Sequence, residues 1–364
     1  MKGPILHHVR YYTRKERSLR EELIMKKTLS LLLSLVMVIS LASCNGTKQP
    51  APGPNGSQGQ DQNAGTTAEW PKAKNITILC AAPAGGNTDA QCRIFADHMN
   101  RTYSGHNFIV ENDGSGNGVV AFEKVRNAEP NGDLLLFYHN GLDIMRAIGR
   151  YDYSMSDFTL LGQMVDQQFA YFLVVPANSK YQTLEDLVED ALSSPGKVTT
   201  GTMFAGSRQM LIGSFIAATG TDINSIDTGA EADTIAQVIG GNVDFSFISY
   251  NNAKNYSESG DIRILAYCGD ERLESDPDIR TIKEVYPGFS NCFNLPFLLG
   301  PTGMDPALAE AINAAFQGME DDEAVQESYG NMKQTFTWFD LDTTQELFQE
   351  QLQVIDTAAK ALGY

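Results

Sequence analysis

Short apolar runs recur along this chain, and between them apolar residues return every three or four positions. The first run, 76–81 (ITILCA), reads as a buried strand. A turn of small residues follows (Pro83, Ala84, Gly85, Gly86), and then a helix whose apolar face opens with Cys92 and Phe95. Asn87, Thr88 or Asp89 is placed to cap that helix. The same reading predicts strands over 107–112, 134–140, 197–202, 224–229, 243–249, 262–268 and 293–301, with two strand runs inside 157–175. Helices are predicted over 119–127, 183–194, from the loop MFAGSRQM to Thr219, and over 232–241, 305–317 and 343–361, with a helix or turn between 249 and 262. Thr183 and Asp186 have the spacing of a capping box. Strands alternating with helices give an α/β chain with a mostly parallel sheet covered on both faces.

Ligands of such sheets bind beyond the carboxyl ends of the strands. Three such ends are small or polar where a core would be apolar. They hold Ala84, Gly85, Gly86, Asn87, Thr88 and Asp89, then Ser115, Gly116 and Asn117, then His139 and Asn140. Glycine lets the backbone approach a ligand, and a helix N-terminus carries about half a positive charge, so each end is suited to an anion. AGGNTD is neither GxGxxG nor a P-loop, which favours a carboxylate over a nucleotide phosphate. An ordinary strand-to-helix turn is the plain alternative. A second copy of the design lies at KVTTGT and MFAGSRQM, where Gly201, Thr202, Gly206 and Ser207 repeat the glycine-plus-hydroxyl pattern. Arg208 either clamps a carboxylate there or is a solvated arginine serving an acidic surface. His139 reads as a ligand contact or as a satisfied loop histidine.

Before the folded part, MKKTLSLLLSLVMVISLASC (25–44) has a basic start, an apolar run and a lipobox ending at Cys44. This is the pattern of a bacterial lipoprotein signal, with Cys44 lipidated. Residues 1–24 read as an upstream extension, 25–43 as the signal, and 44–70 as the lipidated cysteine and a flexible tether. An acyl-anchored protein works at a membrane face without spanning it.

The chain has 364 residues and a formal charge of −18. Removing 1–43 leaves 19 basic and 42 acidic residues, a net charge of −23. A surface this acidic excludes nucleic acid, and it requires any anion site to be local. Five cysteines without CxxC and five histidines without HExxH give no metal site and no cofactor. Ser207 lacks the G-x-S-x-G setting of an esterase and no histidine has a triad position, so no enzyme is expected. Asp89 as a general base is a weaker reading than a helix cap. Cys80, Cys92, Cys268 and Cys292 are either disulfide-bonded, Cys268 with Cys292 among the options, or buried thiols.

Several motifs, in order, resemble the extracytoplasmic solute receptors of tripartite tricarboxylate transporters, the Bug proteins. They are AGGNTD with Arg93 downstream, VEN with GSGNG, EPNGDLLL, DFTLLG, PGKVTTGT, FAGS, ATGTDI and IGGNVDFSF, spread over 71 to about 355. The resemblance implies a type-II periplasmic-binding-protein fold, two α/β domains joined by two crossovers with the ligand cleft between them. Domain 1 would be 71–172 and 297–364, and domain 2 would be 173–296. It further implies a monomeric receptor that holds a small carboxylate through backbone N–H groups and hydroxyls and delivers it to membrane permease subunits. Ala84, Gly85, Gly86, Thr88, Asp89, Ser115, Gly116, Asn117, Thr202, Gly206 and Ser207 would be contacts by motif. The chain departs from the family at Cys80–Ala81–Ala82–Pro83, where Pro-Phe is usual. It also departs at Arg208, more often neutral or histidine, and at Ile248–Ser249, where an aspartate is usual. A lipoprotein that senses a ligand and signals without transport is the alternative from another class.

Overall fold

The computed structural model describes residues 68–163, 171–292, 295–332, 334 and 336–364. The expected extension, signal, lipidated Cys44 and most of the tether lie outside the described residues. So do 164–170 and the start of the strand expected over 293–301. The first lobe runs β1 (Asn75–Cys80), α1 (Asn87–Thr102), β2 (Asn107–Asn112), α2 (Val119–Arg126), β3 (Leu134–His139), α3 (Gly141–Ala147) and β4 (Thr159–Gln163). The second runs β5 (Tyr171–Pro176), α4 (Leu184–Ser193), β6 (Thr199–Thr202), α5 (Ser207–Thr219), β7 (Asn224–Asp227), α6 (Glu231–Ile239), β8 (Phe245–Ser249), α7 (Tyr250–Glu258) and β9 (Ile262–Tyr267). After α8 (Ile282–Val285) the chain returns to the first sheet as β10 (Pro296–Gly300). It ends with α9 (Pro306–Gln317), α10 (Glu323–Asn331) and α11 (Leu341–Ala361).

The sheet orders are β2-β1-β3-β10-β4 and β7-β6-β8-β5-β9. Each sheet contains one reversed strand. β10 runs antiparallel to β3 and β4, and β5 runs antiparallel to β8 and β9. The expectation of mostly parallel sheets holds for the other strands and is corrected for these two, each the first strand laid into a sheet after the chain changes lobe. Both enter at a carboxyl edge, since Pro296 pairs with His139 at the end of β3 and Tyr171 pairs with Ser249 at the end of β8. The link from Gln163 to Tyr171 and the longer one from Tyr267 to Pro296 therefore join one carboxyl edge to the other.

Strand alternation decides which side chains go to which core. Ile76, Ile78, Cys80, Leu135 and Phe137 face one side of the first sheet, where α1 and α9 cover them through Phe95, Ile312 and Phe316. Phe95 stacks on Phe316 with ring centroids 4.7 Å apart. Leu79, Leu136 and Tyr138 face the other side, in an apolar cluster that continues into the second lobe at Phe172, Phe215 and Phe247. Trp70 is already part of the folded body: it is buried against Tyr103 and Phe108, and its indole N–H donates to the Gly132 carbonyl. α5 buries every residue from Arg208 to Phe215. Its composition, apolar on all sides, requires a second cover, and α11 supplies it. A β-carbon at Gly213 would lie 2.3 Å from the Ala358 carbonyl oxygen, so only glycine permits that helix contact. α11 also reaches the first lobe, where Phe348 meets Phe297 edge to face and Asp356 pairs with Arg146 of α3. All four described cysteines are free buried thiols, so no disulfide joins them, Cys268 with Cys292 included. Burial pushes the Cys292 thiol up to about 12.

The sequence pattern did not predict α3, α8 or α10. α3 carries Asp143, whose side chain is buried. Burial pushes its carboxyl up to about 6 against the opposing effects of the Ser154 hydroxyl and the Met155 N–H. The folded state thus binds the Asp143 proton more tightly than the unfolded chain does. Stability from this group is present below pH 4 and falls as pH rises toward 6, by roughly 3 kcal/mol at most. Asp143→Asn should abolish that slope, seen as denaturant midpoints that converge below about pH 4 and diverge in the variant's favour at pH 7. Separately, Gly213→Val should force α11 off α5 and cost about 1–3 kcal/mol in chemical denaturation.

Candidate functional site

On the first lobe, β1 ends at Cys80 and the chain turns through 81–86 into α1. Asp89 is buried at 4% exposure and points back into this turn. Its Oδ2 accepts from the Gly85 N–H at 2.8 Å and from Arg93 Nε at 3.1 Å. Its Oδ1 accepts from Asn112 Nδ2 at 2.8 Å, and the same Asn112 nitrogen donates to the Ala82 carbonyl. Burial opposes ionisation of Asp89, but Gly85, Arg93 and Asn112 together hold its carboxyl below the usual range. Asp89 therefore fastens the turn to β2 and does not cap α1. The expected side-chain cap is absent: Gly86 is the N-cap residue, and no side chain bonds there. Ala84, Gly85, Gly86 and Asn87 are left exposed, with Thr88 partly so.

The loop after β2 lies beside this turn. A β-carbon at Gly114 would sit 3.1 Å from Pro83 Cδ, so the two loops touch. Ser115 donates its N–H to Asp113 Oδ1, and Gly116, Asn117 and Gly118 follow with φ of 60°, 59° and 91°. Three consecutive left-handed residues turn the backbone sharply, which explains two glycines and an asparagine there. Ser115, Gly116 and Asn117 are exposed, and Gly118 begins α2, again without a side-chain cap.

At the end of β3, the His139 ring stacks on Tyr138 at 4.1 Å, and its Nδ1 accepts from the Gly141 N–H at 3.0 Å. Burial pushes the ring down to about 4, so it is neutral at physiological pH. An accepting Nδ1 puts the proton of the neutral ring on Nε2, where it is a donor. Asn140 is buried and its N–H donates to the Leu295 carbonyl of the second crossover.

The second lobe supplies the opposite rim. Thr202 is buried at the end of β6, and its carbonyl accepts from the Thr228 N–H. Ala205 has φ of 62°, and its N–H donates to Gln209 Oε1 at 2.7 Å. Gln209 Nε2 in turn donates to the Tyr364 hydroxyl at 3.1 Å. Gly206 is the N-cap of α5, with no side-chain cap, and Ser207 lies near the Tyr171 hydroxyl. Arg208 is 7% exposed, which overturns its reading as a solvated surface arginine. Nη1 donates to Thr234 Oγ1 at 3.2 Å and Nη2 to the Gly229 carbonyl at 3.3 Å. Both acceptors are neutral.

The motifs thus fall on two rims, one per lobe. Residues that pattern reading missed are Tyr171, Gln209, Thr228, Gly229 and Thr234, which hold the second rim from β5, α5, the turn after β7 and α6. The turn signal at Asp227–Thr228–Gly229 was visible, but only the strand pairing brings it beside Arg208. Among the described residues no cluster of three or more metal-binding side chains exists, and no helix is long and apolar enough to cross a membrane.

Helix capping divides along the same line. α1, α2, α3, α5, α6 and α7 begin at the carboxyl edges, and none has a side-chain cap. α4, α9, α10 and α11 begin elsewhere and are capped by Thr183, Asp305, Asp322 and Asp340, while the four-residue α8, which starts beside the end of β9 where Thr281 bridges Tyr267, is the exception at a carboxyl edge and is capped by Thr281.

Comparison with known proteins agrees with this architecture. Bordetella pertussis BugT is 24% identical over 312 residues, covering 82% of this chain and 93% of BugT. A TctC solute-binding protein from Polaromonas, solved without ligand, superposes with a TM-score of 0.69 at 17% identity over 80% of this chain and 99% of its own. R. palustris Rpa4515, solved with adipate, gives 0.60 at 19% identity over 81% and 99%. Residues 92–363 match the family described as tripartite tricarboxylate transporter family receptor, and this chain belongs to that family.

Proposed function

We infer that the protein is an extracytoplasmic receptor that takes a small carboxylate between the two rims and passes it to the permease subunits of a tripartite transporter. The division of helix caps carries this reading. A helix leaves its first N–H groups without intrahelical partners, and a capping side chain normally satisfies one of them. Here caps are withheld only from helices that start at the carboxyl edges. Donors are left for a ligand in a chain whose acidic surface would otherwise repel an anion. Asp89, the acid within the first turn, is neutralised by Arg93, and His139 offers a neutral N–H.

The ligand would be held by Gly86, Asn87 and Thr88, by Ser115, Gly116 and Asn117, and by His139 from one lobe. Thr202, Gly206, Ser207 and Arg208 would act from the other. Bridging both rims would favour a closed arrangement, because ligand affinity differs between open and closed states. The adipate held by Rpa4515 supports a carboxylate of this size. A lipid anchor at Cys44 with a flexible tether would keep the monomeric receptor at the outer membrane face, within reach of its permease. The receptor family supports a binding role over catalysis.

A thermal-shift screen of residues 68–364 against mono-, di- and tricarboxylates tests the reading. One group of acids should raise the melting temperature, by an amount equivalent to about 2.7 kcal/mol at a hundredfold excess over Kd. A folded protein that responds to no acid would refute it. Gly86→Asp and Gly206→Asp, at positions whose φ of −85° and −121° suit any N-cap residue, should each cap their own helix. Affinity should fall at least tenfold in calorimetry while the unfolding midpoint holds or rises. Unchanged affinity would show that these N–H groups do not meet the ligand.

A further inference from the structure

We propose that Arg208 is a specificity-determining residue, giving the second lobe its own demand for an anionic group. The receptor should then require a ligand with two acidic ends, one for each rim. This rests on the reading of the cleft as a carboxylate site and goes further, by assigning the two ends of the ligand.

Two independent observations support it. The first is electrostatic. Among the described residues, the guanidinium, at 7% exposure, makes only two hydrogen bonds, both to neutral oxygens, and has no carboxylate within ion-pair distance. Burying a cation without a counter-charge is costly, and a chain with so many acids could readily have supplied one. Of the acids on β7 and α6, Glu231 accepts from Ser249 Oγ and Asn252 Nδ2 and Asp227 from the Gly229 N–H, while Asp233 lies beside Gly229 and makes no ion pair with Arg208. The second is positional. Arg208 lies in the first turn of a thirteen-residue helix that begins at the carboxyl edge without a side-chain cap. Its two neutral tethers, on Thr234 and Gly229, fix the guanidinium plane and leave three of its five N–H donors for a ligand. Thr234 is held in turn by the Thr228 hydroxyl at 2.8 Å. The first rim differs in kind. Asp89 is paired with Arg93, Asp113 accepts from the Ser115 N–H, the histidine is neutral, and the donors are backbone N–H groups and short polar side chains. A ligand with one carboxylate leaves one rim without an anion; a dicarboxylate suits both.

The test compares straight-chain dicarboxylates of four to eight carbons with their monomethyl esters, by calorimetry on the wild-type protein and on Arg208→Gln. At least one dicarboxylate should bind wild type thirtyfold or more tighter than its half-ester, and in Arg208→Gln that ratio should collapse to within threefold. If Arg208 only braces the turn after β7, both ligands weaken together and the ratio survives, which overturns the proposal. A wild-type protein that binds half-esters or simple monocarboxylates as well as dicarboxylates also overturns it, while leaving the carboxylate reading intact. That wild-type comparison decides the matter even if Arg208→Gln does not fold. No binding of any acid by folded protein would refute the receptor reading itself.

Discussion

The organisation of this molecule depends on where the chain enters each sheet. Both crossovers attach at carboxyl edges, so β5 and β10 must run against their neighbours. Everything proposed for the site follows from this one constraint of connectivity. It places helix N-termini at the carboxyl edges of both sheets, and each brings partial positive charge and N–H groups without intrahelical partners.

The electrostatic problem is then solved locally. A strongly acidic protein that binds anions has little long-range attraction to use, and at physiological ionic strength such fields fade within about 8 Å. Three devices act at shorter range. Helix caps are withheld at the rims. The one acid in the first turn, Asp89, is consumed by Gly85, Asn112 and Arg93. A single guanidinium is buried at the other rim with neutral partners. Asp89 shows how one residue type changes role with context. By spacing it is a cap or a ligand contact; in the fold it is the fastener of the loop that presents N–H groups.

α11 adds a constraint on motion. It lies along α5 through the Gly213–Ala358 contact and also touches β10 and α3 of the first lobe. Any hinge movement of the lobes must carry or slide this helix. Its far end meets the second rim through Tyr364 and Gln209, which hold the left-handed Ala205 in place.

The sequence by itself determined the strands, most of the helices and the loops that carry the site. Those features depend on local rules: apolar period, glycine where φ is positive, and turn residues between runs. It could not show α3 or α10, which lack a clear period, nor the reversal of β5 and β10, because strand direction is a property of pairing. It named Gly86, Ser115, Asn117, His139, Thr202 and Ser207 as candidates, since small and polar residues at strand ends are visible in one dimension. The tertiary structure alone decided which groups in those loops are free and which are spent. Asp89 is turned inward by Asn112, a residue 23 positions away. Arg208 is buried because β7 and α6 close over it with Gly229 and Thr234. Burial and hydrogen-bond partnership depend on contacts between distant segments, and no local pattern records them.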